Sequence, residues 1–363
     1  MGMRIMEPKS MRIAQVAPLY ESVPPVKYGG SERVVSYLTE ELVRQGHQVT
    51  LFASGDSVTK ATLVSPCKRA LRLDPGCRDP LAYHTIMLDE VFHRASDFDV
   101  IHFHIDYLHF PFSRANGVSN LTTLHGRLDL PELAFVYRQF PDLPLVSISD
   151  AQRTPVPGAN WLATVYHGIP KRLYRFHPEP GSYLAFVGRV SPEKGLEEAI
   201  DVAIRAGVPF KIAAKVDQVD RAYFESRIKP KLGHPLIEFV GEIGEREKDE
   251  LLGGACALLF LIDWPEPFGL AMIESLACGT PVIALRRGSV PEVIQDGVTG
   301  FILDKADMAV EAIQKLGQLK RKDCRKAAET LYSDTRMAKE YLAQYARLHN
   351  KGLFAVDSHA AIG

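Results

Sequence analysis

The stretch Tyr183-Leu-Ala-Phe-Val-Gly-Arg-Val-Ser-Pro-Glu-Lys-Gly195 runs an apolar strand pattern straight into a helix start. Ser191 suits an N-cap, Pro192 the first helical position, and Lys194 falls in the first turn. A strand followed at once by a helix is the repeating unit of an open parallel sheet, and the same alternation continues in both directions. Downstream, PFKIAAKV (209–216), LIEFVG (236–241), ACALLFLI (255–262), PVIALR (281–286) and GFILD (300–304) read as strands with helices between them. Upstream, MRIAQVAP (11–18), QVTLFAS (48–54), DVIHFH (99–104), SNLTTLH (119–125), PLVSIS (144–149) and LATVYH (162–167) form a second series. Its clearest helix is 31–45, where Val34, Val35, Leu38 and Leu42 follow one stripe and Gly46 ends it. Between the series, PKRLYRFHPEPG (170–181) has three prolines and no periodicity, which marks a linker.

These patterns predict an α/β chain of two doubly wound domains facing a central cleft, since such sheets bind ligands at the carboxyl ends of their strands. The expected division is an N-terminal extension (1–10), a first domain (11–170), a linker (171–181) and a second domain (182–334). A last helix (335–350), with Met337, Tyr341, Leu342, Tyr345 and Leu348 at helical spacing, is expected to cross back toward the first domain, and a flexible tail (351–363) follows. At 363 residues the chain is long enough for two cores, and a net charge of −1 argues against nucleic acid as the main ligand. Five scattered cysteines without a Cys-x-x-Cys pair point away from metal and disulfide frameworks and toward a reducing cytoplasm. The longest apolar run, 255–262, is far too short to span a membrane, and no signal peptide is visible. Neither G-x-G-x-x-G nor a P-loop occurs, which counts against a nicotinamide dehydrogenase or a nucleoside-triphosphate hydrolase.

Four motifs carry chemistry. Glu266-Pro-Phe-Gly-Leu-Ala-Met-Ile-Glu274 sets two carboxylates around the start of an apolar helix (269–278) that Gly279 and Pro281 stop. Glu266 would sit beside the free N–H groups of Phe268, Gly269 and Leu270, while Glu274, buried, needs a partner. Sugar or ribose hydroxyls would serve; so would a basic side chain. Arg189 and Lys194, at a strand end and a helix start, suit a diphosphate, the alternatives being a carboxylate partner for Arg189 and solvent for Lys194. Gly29 and Gly30 in Lys27-Tyr-Gly-Gly-Ser-Glu32 allow close backbone approach to a phosphate, or make a tight turn. His125 ends a strand on the cleft side, where a neutral imidazole can donate to a sugar hydroxyl. His102, His104 and Asp106, and separately Asp97 and Asp99, are weighed as metal ligands and set aside, the first group for want of completing ligands and the second as a solvated strand start.

Taken together, YGGSERVVSYLTEELVRQGHQVTLFASGD (28–56), HGRLD (125–129), HGIP (167–170), VGRVSPEKG (187–195), EPFGLAMIESLACGTPVIA (266–284) and GSVPEVIQDGVTGFI (288–302) resemble the family 4 retaining glycosyltransferases. The resemblance implies the B-type glycosyltransferase fold of two Rossmann-like domains, a nucleotide sugar donor and no catalytic metal or other cofactor. By the same likeness Arg189 and Lys194 bind the donor diphosphate and Glu274 the ribose. Glu266 with the Phe268, Gly269 and Leu270 backbone holds the sugar, Gly29 and Gly30 close over the phosphates, and His125 lies near the sugar 6-hydroxyl. The expected reaction moves a hexose, UDP-glucose being the favoured donor, to an acceptor hydroxyl by front-face transfer. The acceptor, whether small molecule, lipid or polysaccharide, is expected to be read by residues 59–80, 104–115 and 127–142. Two rivals stay open: a nucleotide-sugar epimerase of the same architecture, and a catalytically silent sugar-nucleotide or glycan-binding protein.

Overall fold

The computed structural model describes residues 10–360. The first sheet has seven parallel strands: β1 (Arg12–Val16), β2 (Gln48–Phe52), β3 (Thr62–Val64), β4 (Val100–Phe103), β5 (Asn120–Thr123), β6 (Leu145–Ser147) and β7 (Trp161–Thr164). The second has six: β8 (Tyr183–Arg189), β9 (Phe210–Lys215), β10 (Ile237–Gly241), β11 (Ala255–Phe260), β12 (Val282–Leu285) and β13 (Gly300–Leu303). Their orders, β3-β2-β1-β4-β5-β6-β7 and β10-β9-β8-β11-β12-β13, share one plan in which the winding reverses beside the first strand of each domain. All twelve strands read from the sequence are present, and the chain is of the two-domain, doubly wound α/β class. β3 was not expected: it is a three-residue strand on a sheet edge, inside the 59–80 stretch expected to read the acceptor, and too short to show a period.

Central strands are buried on both faces because helices cover them: β11 is a continuous apolar run, and β1 and β4 are buried almost throughout, Gln15 and His102 included. The helix Gly30–Arg44 packs Val34, Val35, Leu38 and Leu42 inward, as its stripe requires. Residues 170–182 carry no regular strand or helix. The final helix spans Asp334–Ala360, ten residues beyond the expected end at 350, so the expected tail is helical in backbone as far as it is described. Residues 1–9 and 361–363, the bulk of the expected extension and the end of that tail, lie outside the described residues. The final helix returns to the first domain: Tyr345 Oη accepts from Gln15 on β1 at 3.1 Å, and Tyr341 Oη meets Thr123 on β5 at 2.8 Å. Where it leaves the second domain, Ser333 bridges Ile169, with Ile169 N donating to Tyr332 O at 2.8 Å and Asp334 N to Ile169 O at 3.1 Å. Among the described helices none is long and apolar enough to cross a membrane.

Candidate functional site

The two winding reversals, at β1/β4 and at β8/β11, open onto one cleft of about 770 Å³ between the domains. Gly29, Gly30, His125, Arg189, Lys194, Glu266, Phe268, Gly269, Leu270 and Glu274 all line it, so the ten residues singled out from the sequence come together around one space.

On the second-domain wall Lys194 Nζ donates to Glu266 Oε2 at 2.6 Å, and the Trp264 indole N–H donates to the same oxygen at 2.9 Å. The ammonium also lies 5.1 Å from the Trp264 ring centroid, a cation–π distance. The Glu266 loop is pinned from behind: Ser289 N donates to Glu266 O and Ser289 Oγ to Phe268 O, each at 2.9 Å. Ser289 belongs to the 288–302 motif, which through these two bonds shapes the Glu266 loop. Gly269 caps the helix Leu270–Cys278, leaving the N–H groups at that turn directed to the cleft end of the helix.

The expected helix start after β8 is corrected. Pro192–Lys194 form a 3-10 turn, Ser191 makes no cap hydrogen bond, and the helix proper begins at Leu196. Gly195 joins the two with φ 66°, and a Cβ there would stand 1.9 Å from Leu261 O, so the turn is pressed against the end of β11. That contact sets Lys194 beside the Glu266 loop. Arg189 is engaged by carboxylates, Glu193 at 2.9 Å, Asp220 at 3.6 Å and Asp217 at 3.8 Å. The carboxylate alternative therefore describes Arg189 in this state.

Glu274, buried as expected, accepts from Lys248 Nζ at 2.8 Å. Lys248 also donates to Glu245 at 3.1 Å; Glu245 in turn takes the Tyr174 hydroxyl at 2.7 Å and an ion pair with Arg33 of the first domain. The result is an alternating chain, Arg33–Glu245–Lys248–Glu274, that joins the two domains along the cleft wall. Lys248 lies 26 residues before Glu274 with no local pattern to link them, so sequence reading missed it.

From the first domain, Tyr28 N donates to Glu242 at 3.2 Å and its ring covers the Lys215 ammonium at 4.9 Å. Burial raises the Tyr28 phenol above its ordinary value. His125 Nε2 meets His104 Nδ1 at 2.9 Å, while its Nδ1 is buried without a protein partner. Burial drives its imidazole down to about 4, so the ring is neutral. His102 is spoken for by Tyr345 at 2.8 Å and Thr123 at 2.7 Å, and Asp99 by Arg12 at 2.9 Å, which gives those residues structural partners. Asp106, on the cleft wall after β4, has φ 51°.

Two family models match: "Glycosyltransferase Family 4" over residues 28–186 and "Glycosyl transferases group 1" over residues 175–331. A D-inositol 3-phosphate glycosyltransferase of Salinispora arenicola is 35% identical over 156 residues, 37% of this chain and 33% of that relative. The chain thus matches about a third of the length of its curated relatives. AviGT4, a glycosyltransferase involved in avilamycin A biosynthesis, superposes with a TM-score of 0.70 at 25% identity, covering 94% of this chain and 98% of that one. HepE of Anabaena, solved with UDP and glucose, gives 0.73 at 16% identity over 93% and 100%, a likeness of fold. With one model matching each domain and the whole fold shared, the chain belongs to the family 4 glycosyltransferases, in their B-type architecture of two Rossmann-like domains.

Proposed function

We propose that this protein transfers a hexose from a nucleotide diphosphate sugar, UDP-glucose being the first choice, to an acceptor hydroxyl with retention at the anomeric carbon and without a metal. The observation that carries this reading is the Lys194–Glu266 contact at 2.6 Å, which brings the cation of the turn after β8 and the carboxylate of the helix-start loop to one point in the cleft. In this reading the diphosphate takes Lys194 and draws Arg189 from its carboxylate neighbours, and the ribose diol bonds Glu274. Glu266 and the N–H groups at the start of Leu270–Cys278 orient the sugar. As the glycosidic C–O bond breaks, negative charge grows on the leaving phosphate oxygen, where the two cations stabilise it. The acceptor hydroxyl attacks from the same face and passes its proton to that oxygen, so no protein nucleophile is needed. Closure of the Lys27–Gly30 loop keeps water from competing. That UDP and glucose occupy HepE supports the choice of donor.

The test is turnover and binding of a panel of nucleotide sugars, with and without acceptor and with chelator present, by wild type and Lys194→Ala. The expected outcome is selective binding in chelator and acceptor-dependent release of nucleotide, with kcat/KM lowered at least about a hundredfold in the variant. Conversion of the donor to an epimer without acceptor would indicate the epimerase, and tight binding without turnover the silent binder.

A further inference from the structure

His125 stands at the end of a buried line of hydrogen bonds whose direction is set by one amide. On β1, Gln15 turns its Nε2 to Tyr345 Oη at 3.1 Å and its Oε1 to His104 Nε2 at 2.8 Å. Gln15, His104 and Tyr345 are buried, so water does not interrupt the line. An amide oxygen only accepts, which places the His104 proton on Nε2. Burial holds His104 neutral, so its other nitrogen carries a lone pair. That nitrogen, Nδ1, lies 2.9 Å from His125 Nε2, and His125 must supply the proton. His125 is neutral for the same reason, leaving its Nδ1 with a lone pair that no protein group meets. A buried orphan acceptor is uncommon in native structures and calls for an explanation.

We propose that Gln15 and His104 are positioning residues that hold His125 in its Nε2–H tautomer, so that the cleft offers an acceptor nitrogen and selects a ligand carrying a hydroxyl at that point. The sequence reading of His125 as a donor is thereby reversed. On the transferase reading, the hydroxyl is the 6-hydroxyl of the donor hexose. A sugar lacking it leaves the nitrogen orphaned, and a carboxylate there meets a lone pair.

The tautomer is measured without ligand. In the full chain labelled with ¹⁵N-histidine, two-bond proton–nitrogen correlation, with His125→Asn identifying the signals, is expected to show the proton of His125 on Nε2. Gln15→Glu, which keeps an acceptor oxygen, is expected to retain that pattern, and Gln15→Leu to lose it. In kinetics, UDP-glucose is expected to exceed UDP-6-deoxyglucose in kcat/KM by roughly tenfold or more in wild type, and the ratio to narrow in Gln15→Leu. A proton on His125 Nδ1 in wild type overturns the proposal, as does an unchanged ratio in Gln15→Leu. Should the tautomer be as expected while neither sugar nucleotide binds, the relay stands and the transferase reading falls.

Discussion

Asp106 combines two departures from the ordinary. Among the described residues it is the non-glycine position with left-handed backbone, and it lies open to the cleft yet ringed by protein, which raises its carboxyl to about 6. A carboxyl whose folded value lies above its ordinary value of 3.8 holds its proton more tightly in the native state. Its contribution to stability is therefore greatest at low pH and declines as pH rises from about 4 through about 6. Asp106→Asn lacks this dependence. The difference in Tm between wild type and variant is expected to grow in the variant's favour across that window and to level off above it; a pH-independent difference would remove the argument. At this scale the sequence showed residues whose chemistry is announced locally, such as Arg189 at a strand end, Lys194 in the turn after it and Glu266 before a glycine-capped helix. It did not show Lys248 or Gln15, whose significance depends on partners 26 and 89 positions away.

At the scale of elements, the Arg33–Glu245–Lys248–Glu274 chain ties the helices Gly30–Arg44, Glu245–Gly253 and Leu270–Cys278 into one unit. Each charge has an opposite neighbour, so removing Lys248 leaves two carboxylates, the buried Glu274 and the partly buried Glu245, facing each other without a cation between them. Lys248→Met is expected to cost about 3–5 kcal/mol in urea unfolding, and the triple variant Glu245→Gln, Lys248→Met, Glu274→Gln to recover much of that loss. Equal destabilisation in both would show that the chain's charges are not what matters. The elements themselves were largely legible. Strand runs bounded by turn residues and a helix stripe ending at Gly46 arise from burial periodicity, which is written locally. What escaped was set by contacts across the fold: the edge strand β3, which takes its shape from β2, and the 3-10 turn at Pro192–Lys194, imposed by the approach of Gly195 to Leu261.

Across the whole molecule, the chain passes between domains at 170–182 and again at 333–334, and the two passages are stitched together by Ile169 and Ser333. Gly168 makes room for this: a Cβ there would lie 2.3 Å from Ser333 O. Gly168→Val is expected to force the passages apart, to destabilise the protein by about 1–3 kcal/mol, and to broaden or split a single calorimetric unfolding transition. An unaltered single transition would mean that the stitch does not couple the domains. Joined at one spot, the two passages act as a single pin, and a body hung on one pin keeps one rotation. Displacement under that rotation grows with distance from the axis, so the contacts made from one domain to the other across the cleft, Tyr28 with Glu242 and Arg33 with Glu245, must part for the halves to swing open and re-form when they shut.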